Sequence, residues 1–336
     1  MVEKILAPHE TLQADWPVDG TTGYEVGAQL IRVLMHGAAE PVVSQSYAAF
    51  VGDAPPLHEE VYRCKLRVMD NELSAELAAL ARYFAVIARS EAATSDLSEA
   101  GLRRALREII AQLRVYRSYA DHTGMTPRDR REIGYAVARA RRQQRHIQPM
   151  LFDFVASVLC GTLGPAYNPK AVAAAIGRFQ QYCGPVMAKG FEDTALYRHN
   201  RLVALNDVSA HPDRFALSIA AFHDSNRRRQ ASHPASMLAT STHDSKRGED
   251  IRAIIAAIAD APDIWAKAVA DWRVMLAVDG CDAIHPGDLY LFFQLLLGGW
   301  PVSGDADGLC ALAGRHGQIA PRGPVAQRLG RQRHRL

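Results

Sequence analysis

Two stretches concentrate side chains that can move protons or hold a polar ligand. The first is Ala239-Thr240-Ser241-Thr242-His243-Asp244-Ser245-Lys246-Arg247-Gly248-Glu249-Asp250. It places His243 and Asp244 just past a short apolar run and just before a helix-forming one. In a β/α barrel the C-terminal strand ends hold the catalytic groups, and a carboxylate there can orient sugar hydroxyls. A plainer role is also open, in which Asp244 or Ser245 caps the next helix. The second stretch, Lys189 to Arg201, packs Lys189, Glu192, Asp193, Tyr197 and Arg198 around Gly190. Its mixture of donors, acceptors and an aromatic ring suits a sugar; a surface loop tied by ion pairs is the alternative. A third acid, Glu3 in Val2-Glu3-Lys4-Ile5-Leu6, reads on its own as an exposed terminal residue.

Other chemistries find no support. A serine nucleophile would need a GxSxG elbow, and none is present. Phosphate binding would need a Walker loop or a GxGxxG after a strand, and neither occurs. The five cysteines, at 64, 160, 183, 281 and 310, form no CxxC pair. They support neither a zinc site nor a disulfide framework, and reduced thiols in a cytoplasmic protein account for them. No cofactor and no metal are expected. The arginine-rich stretch 139–145 lacks interleaved aromatic residues and reads as a solvated helix face rather than an RNA site.

These residues need a scaffold, and the 336-residue chain can supply one. Its 48% hydrophobic content excludes wholesale disorder. The most apolar window, Leu289 to Leu297, is nine residues long, against about 20 for a membrane span. No signal-peptide pattern follows Met1. The net charge of +3 is a property of the tail: residues 308–336 hold six arginines and no acid. The remaining 33 basic residues face 36 acidic ones, so residues 1–307 carry −3. Nucleic acid is not an expected partner of that body.

The spacing predicts helices from about His58 to Gln148. Leu73, Leu77, Leu80 and Phe84 recur at helical intervals, as do Leu102, Leu106, Ile109, Ile110 and Leu113. Thr126-Pro127-Arg128-Asp129 is a cap, a first-position proline and a first-turn acid; the helix that follows reads as exposed. Asn168-Pro169 opens another helix, ended by Pro185. Residues 186–200 read as polar loop and 213–223 as helix. Ser236–Thr242 reads as a buried strand, followed by helices near 247–258, 262–276 and 286–298.

The same pieces occur together in one family. VEKIL at 2–6, DWPVDGTTGY at 15–24, KGFEDTALYRHNRL at 189–202, FHDSNRRRQASHP at 222–234, SMLATSTHDSKRGEDIRA at 236–253 and DLYLFFQLLLGGWP at 288–301 carry the likeness. The sequence resembles the maltooligosyl trehalose synthases, members of the α-amylase superfamily (glycoside hydrolase family 13). The resemblance implies an α/β fold, mostly helical: the later portion of a (β/α)8 TIM barrel with a large all-helical inserted subdomain. It divides the chain into a partial barrel at 1–40, the insertion at 41–184, and later barrel strands and helices at 185–302; residues 303–336 lie beyond the likeness and read, from their Gly, Arg and Gln content, as a disordered basic tail.

It also implies roles. Glu3 falls at the acid/base position at the end of the fifth barrel strand. Asp244 matches the carboxylate that binds ring hydroxyls and stabilises the oxocarbenium-like transition state. His243 binds the same sugar, and Lys189 and Lys246 hold the reducing-end glucose, with Glu192, Asp193, Tyr197 and Arg198 near by. The substrate would be a maltooligosaccharide, whose terminal α-1,4 bond is remade as an α,α-1,1 trehalose end. The family's nucleophile would precede Met1, so the isolated chain is expected to be a C-terminal fragment, inactive alone, with the missing half-barrel as its partner. An amylase-type hydrolase and a non-catalytic helical interaction protein are the alternatives.

Overall fold

The computed structural model describes residues 1–2, 10–12, 16–52, 54–120, 124–278 and 284–300. Glu3 and the tail 303–336 lie outside them, as do Cys281 and Cys310. The described residues are mostly helical. In chain order the helices are α1 (Tyr24–Val33), α2 (Glu40–Val51), α3 (Leu57–Asp70), α4 (Ser74–Arg89), α5 (Glu99–Gln112), α6 (Pro127–Gln143), α7 (Pro149–Cys160), α8 (Pro169–Val186), the single turn α9 (Leu196–Arg198), α10 (Ile219–Ser232), α11 (Glu249–Ala256), α12 (Pro262–Val278) and α13 (Pro286–Gly299). No helix among the described residues is long and apolar enough to cross a membrane.

The chain divides into two compact units. Of the described residues, one unit comprises Pro55–Tyr197 with those from Val2 to Trp16, and the other Met1, Pro17–Ala54 and those from Arg198 on. The sequence-based edges stood at 40/41 and 184/185. The contact edge falls later at the first because α2 shares a core with α12 and α13.

In the first unit α5 is central, packed by α3, α4, α6 and α7. Its Leu102, Leu106, Ile109 and Ile110 are buried, and so are Leu77, Leu80 and Phe84 of α4. These are the residues whose i, i+3 and i+4 spacing predicted one apolar face. The ends are set locally. Ser98 Oγ accepts the Gly101 amide at 3.1 Å, Thr126 Oγ1 accepts that of Asp129 at 3.1 Å, and Asn168 Oδ1 accepts that of Lys170 at 2.9 Å. Thr126→Ala is therefore expected to lower stability by about 1 kcal/mol, the usual loss for a missing cap, read as a shift of the urea midpoint. The arginine-rich α6 is not the fully exposed helix anticipated: Ile133, Ala136, Val137 and Ala140 are buried.

Three further expectations fail here. Pro185 does not end α8, which runs to Val186 and passes into a π-helix, Met187–Ala195. The proline supplies no amide donor in the last α-turn, and the wider i→i+5 winding starts two residues later. That winding has no 3.6-residue period, which is why 186–200 looked like loop. Residues 213–218 are irregular, and α10 starts only at Ile219, where Ser218 Oγ accepts the Ala221 amide at 3.2 Å. Finally, Ser236–Thr242 is not a buried strand. It forms no strand in the structure, and Met237 and Leu238 are 53% and 69% exposed. A buried parallel strand needs neighbours that cover both its edges and faces, and no strand occurs among the described residues.

The second unit is built on an aromatic core. Tyr47 and Phe50 of α2, Trp265 and Trp272 of α12, and Tyr290 and Phe293 of α13 meet edge-on or tilted. Trp265 Nε1 donates to Tyr290 Oη at 2.7 Å, which lets both rings be buried. Gln294, fully buried in α13, accepts the Val203 amide at 2.8 Å and donates to the Asn200 carbonyl at 2.7 Å. It thereby ties Asn200 and the start of the 3-10 turn Val203–Leu205 to the helix.

Candidate functional site

The loop before α11 carries His243, Asp244 and Lys246. Its own hydroxyls organise it: Thr242 N donates to Ser245 Oγ at 3.0 Å, Asp244 N to Thr242 Oγ1 at 3.3 Å, and Ser245 N to the Thr242 carbonyl at 3.2 Å. Neither Asp244 nor Ser245 caps α11, whose N-cap is Gly248 with no side-chain bond. The capping alternative therefore does not account for Asp244. Its carboxylate is partly exposed and stands 3.8 Å from His243 Nε2, and the His243 ring is open to solvent. Thr240 Oγ1 donates to Glu249 Oε2 at 2.6 Å. Hydrogen bonds from Thr240 and Ser241 hold the Glu249 carboxyl below its ordinary range.

Upstream of this loop the chain lies along the start of α1. Met237 N donates to the Thr21 carbonyl at 2.9 Å. A Cβ on Gly23, at φ 90°, would come within 2.6 Å of the Met237 carbonyl oxygen. The left-handed conformation and the close approach both require glycine there. Residues 21–23 and 237–239 are thus neighbours in the fold.

Two residues that the sequence reading did not single out complete the site. Asp207 is buried, and its Oδ2 lies 2.8 Å from Arg252 Nη1 of α11. Its Oδ1 accepts the Val208 amide at 2.8 Å and the Lys246 amide at 3.2 Å. Arg252, also buried, donates through Nη2 to the Thr240 carbonyl. Burial pushes the Asp207 carboxyl upward, while Arg252 and the backbone donors pull it back. The sequence did hold a signal: Asp207 sits within Leu202-Val203-Ala204-Leu205-Asn206-Asp207-Val208, an acid in an otherwise buried run.

The second cluster lies on the π-helix of the other unit. Lys189 Nζ and Asp193 Oδ2 pair at 2.7 Å, both largely exposed. Glu192 points inward instead, buried and hydrogen-bonded by Tyr116 Oη. Gly190 is pressed on α3, where a Cβ would lie 2.9 Å from Lys65 Cα. Tyr197 is exposed at the end of this unit, and Arg198, also exposed, begins the next. The structure therefore gathers the predicted residues into two groups: Lys189 with Asp193 in one unit, and His243, Asp244 and Lys246 in the other. Among the described residues no group of His, Cys, Asp or Glu could hold a metal ion.

No family model matches the chain. Two Mycobacterium tuberculosis proteins, each provisionally named a maltooligosyl trehalose synthase, are 33% identical to it over 315 residues. That match covers 94% of this chain and 37% of each relative. The maltooligosyltrehalose synthase of Arthrobacter ramosus superposes with a TM-score of 0.73 at 34% identity, over 89% of this chain and 35% of that one. A mutant of the same enzyme gives 0.74 at 31%, over 97% and 42%. A glycosyltrehalose synthase gives 0.67 at 27%, over 91% and 35%. All of these are trehalose-forming enzymes by name. The chain is a homologue of the maltooligosyl trehalose synthases, and it spans about 37% of the length of the curated relatives it matches.

Proposed function

We propose that this chain contributes the later part of a TIM-barrel maltooligosyl trehalose synthase, an isomerase acting within one maltooligosaccharide. The observation that carries the reading is the 33% identity sustained over 94% of the chain. In this reaction the terminal glucose is released from its α-1,4 bond, kept in place and rejoined through its anomeric hydroxyl. Holding that sugar and keeping water out separate the isomerase from a hydrolase.

Asp244 would accept hydrogen bonds from ring hydroxyls and stabilise the positive charge that develops on the ring. His243 is poised to bind the same sugar. Lys246 and Arg198, in the same unit as Asp244, offer donors to a sugar; in the other unit Lys189, Asp193 and Tyr197 offer a donor, an acceptor and a ring face of their own. Glu192, held by Tyr116, would serve by fixing the π-helix that presents Lys189 and Asp193. Glu3 would be the acid/base, protonating the leaving oxygen and later deprotonating the attacking hydroxyl.

NMR titration of the full chain with maltopentaose tests this. Binding is expected, and Asp244→Asn should weaken it by about 10- to 100-fold, the value of a charge-assisted hydrogen bond. Unchanged affinity in the variant, or no binding at all, would remove the reading.

A further inference from the structure

We propose that the buried Asp207–Arg252 pair is the positioning device that sets His243 and Asp244 for the sugar. The inference rests on the sugar-binding role proposed above for those two residues, and it adds two residues that do not touch substrate.

Polar contacts to the backbone, more than a core, hold this loop. Met237 and Leu238 upstream face solvent rather than a core. Within the loop the Thr242 amide donates to Ser245 Oγ and the Asp244 amide to Thr242 Oγ1. The ion pair grips that loop from both sides. Arg252 Nη2 holds the carbonyl of Thr240. Asp207 Oδ1 holds the amide of Lys246. Between those two grips lie Ser241 to Ser245, and with them His243 and Asp244.

The grip is itself anchored. Arg252 belongs to α11, which packs on α13, and a Cβ on Gly298 of α13 would meet Ile251 Cγ2 at 2.8 Å. Asp207 follows the turn that Gln294 of α13 holds through Val203 and Asn200. Both halves of the pair thus refer the loop to one helix, α13.

The chemistry of each residue is specific. Arg252 uses two different nitrogens, one on a carboxylate and one on a carbonyl. A lysine ammonium is a single point and cannot reproduce that fork. Asp207 uses both carboxylate oxygens, one for Arg252 and one for backbone amides. An asparagine has one acceptor oxygen in place of two.

The test uses the full chain, with amide hydrogen exchange over 240–248 and maltopentaose titration by NMR. In Asp207→Asn and Arg252→Lys, exchange of the Lys246 amide should accelerate by about tenfold or more, and maltopentaose affinity should fall by about tenfold, as for one lost charge-assisted bond. Amides of α12 and α13 should keep their protection. Arg252→Lys discriminates the two roles: if the pair only neutralises buried charge, lysine restores wild-type affinity, and that restoration overturns the proposal. Faster loop exchange with unchanged affinity overturns it as well, as does unchanged exchange. Should Asp207→Asn lose protection throughout α11–α13, the milder Arg252→Lys decides. If the unsubstituted chain binds no maltopentaose, the functional reading has failed, and the exchange rates alone still decide whether the pair clamps the loop.

Discussion

Lys65→Met is expected to stabilise the protein at pH 7 and to flatten its pH dependence above pH 8. Lys65 lies in α3, is 2% exposed and donates through Nζ to the Leu113 carbonyl at 2.7 Å. Burial pulls its amine down from 10.5 to about 8. Below pH 8 the amine is charged both folded and unfolded, and folding bears the full desolvation penalty, about 3 kcal/mol for a shift of that size. Between pH 8 and 10.5 the unfolded chain binds the proton and the folded one does not, so stability rises with pH.

Cys183 works in the opposite sense. Burial pushes its thiol well above 9.0, so above pH 9 the unfolded chain loses a proton that the folded one keeps, and stability falls. The two groups interact, and Lys65 draws the thiol down somewhat, so the comparison is cleanest below pH 9. Methionine fills most of the volume but leaves the Leu113 carbonyl unbonded, which returns about 1 kcal/mol. The net expectation is about 2 kcal/mol of stabilisation at pH 7, shrinking to zero or reversing by pH 10. Urea denaturation followed by circular dichroism at both pH values reads it. A variant less stable than wild type at pH 7 would show that the amine is not held at such a penalty.

Leu106→Ala carries the largest expected loss, about 2–5 kcal/mol. Leu106 is fully buried in α5, and α3, α4, α6 and α7 surround that helix. With neighbours on every side, the cavity has little room to collapse. Hydrogen exchange should accelerate first in α5 and the helices packed on it. For contrast, Arg63→Ala, which removes the exposed pair with Glu59, should change stability by no more than about 1 kcal/mol. Equal effects of the two would mean that α5 is not the centre of this core.

Much of the helical architecture was legible because its causes are local. The faces of α4 and α5 follow from apolar residues three and four apart. The start of α6 follows from Thr126, Pro127 and Asp129, all within one turn. The π-helix was not legible, since its i→i+5 winding lacks the periodicity that marks a helix in sequence. The strand expected at 236–242 failed for a related reason: an apolar run shows that a segment suits burial, not that neighbours are present to bury it.

The candidate site divides along the same line. His243, Asp244 and Lys246 stand together because they are adjacent in sequence. Glu192 belongs to an equally polar motif, yet the fold turns it inward against Tyr116 and leaves Lys189 and Asp193 outside. By itself the sequence determined the helix faces, the caps and the likeness to a family, all of which depend on residues close along the chain. The tertiary structure decided which polar groups face solvent, and it joined Asp207 to a loop 39 residues away. The pair forms where α11 packs on the turn 203–205, and both of its residues are buried there.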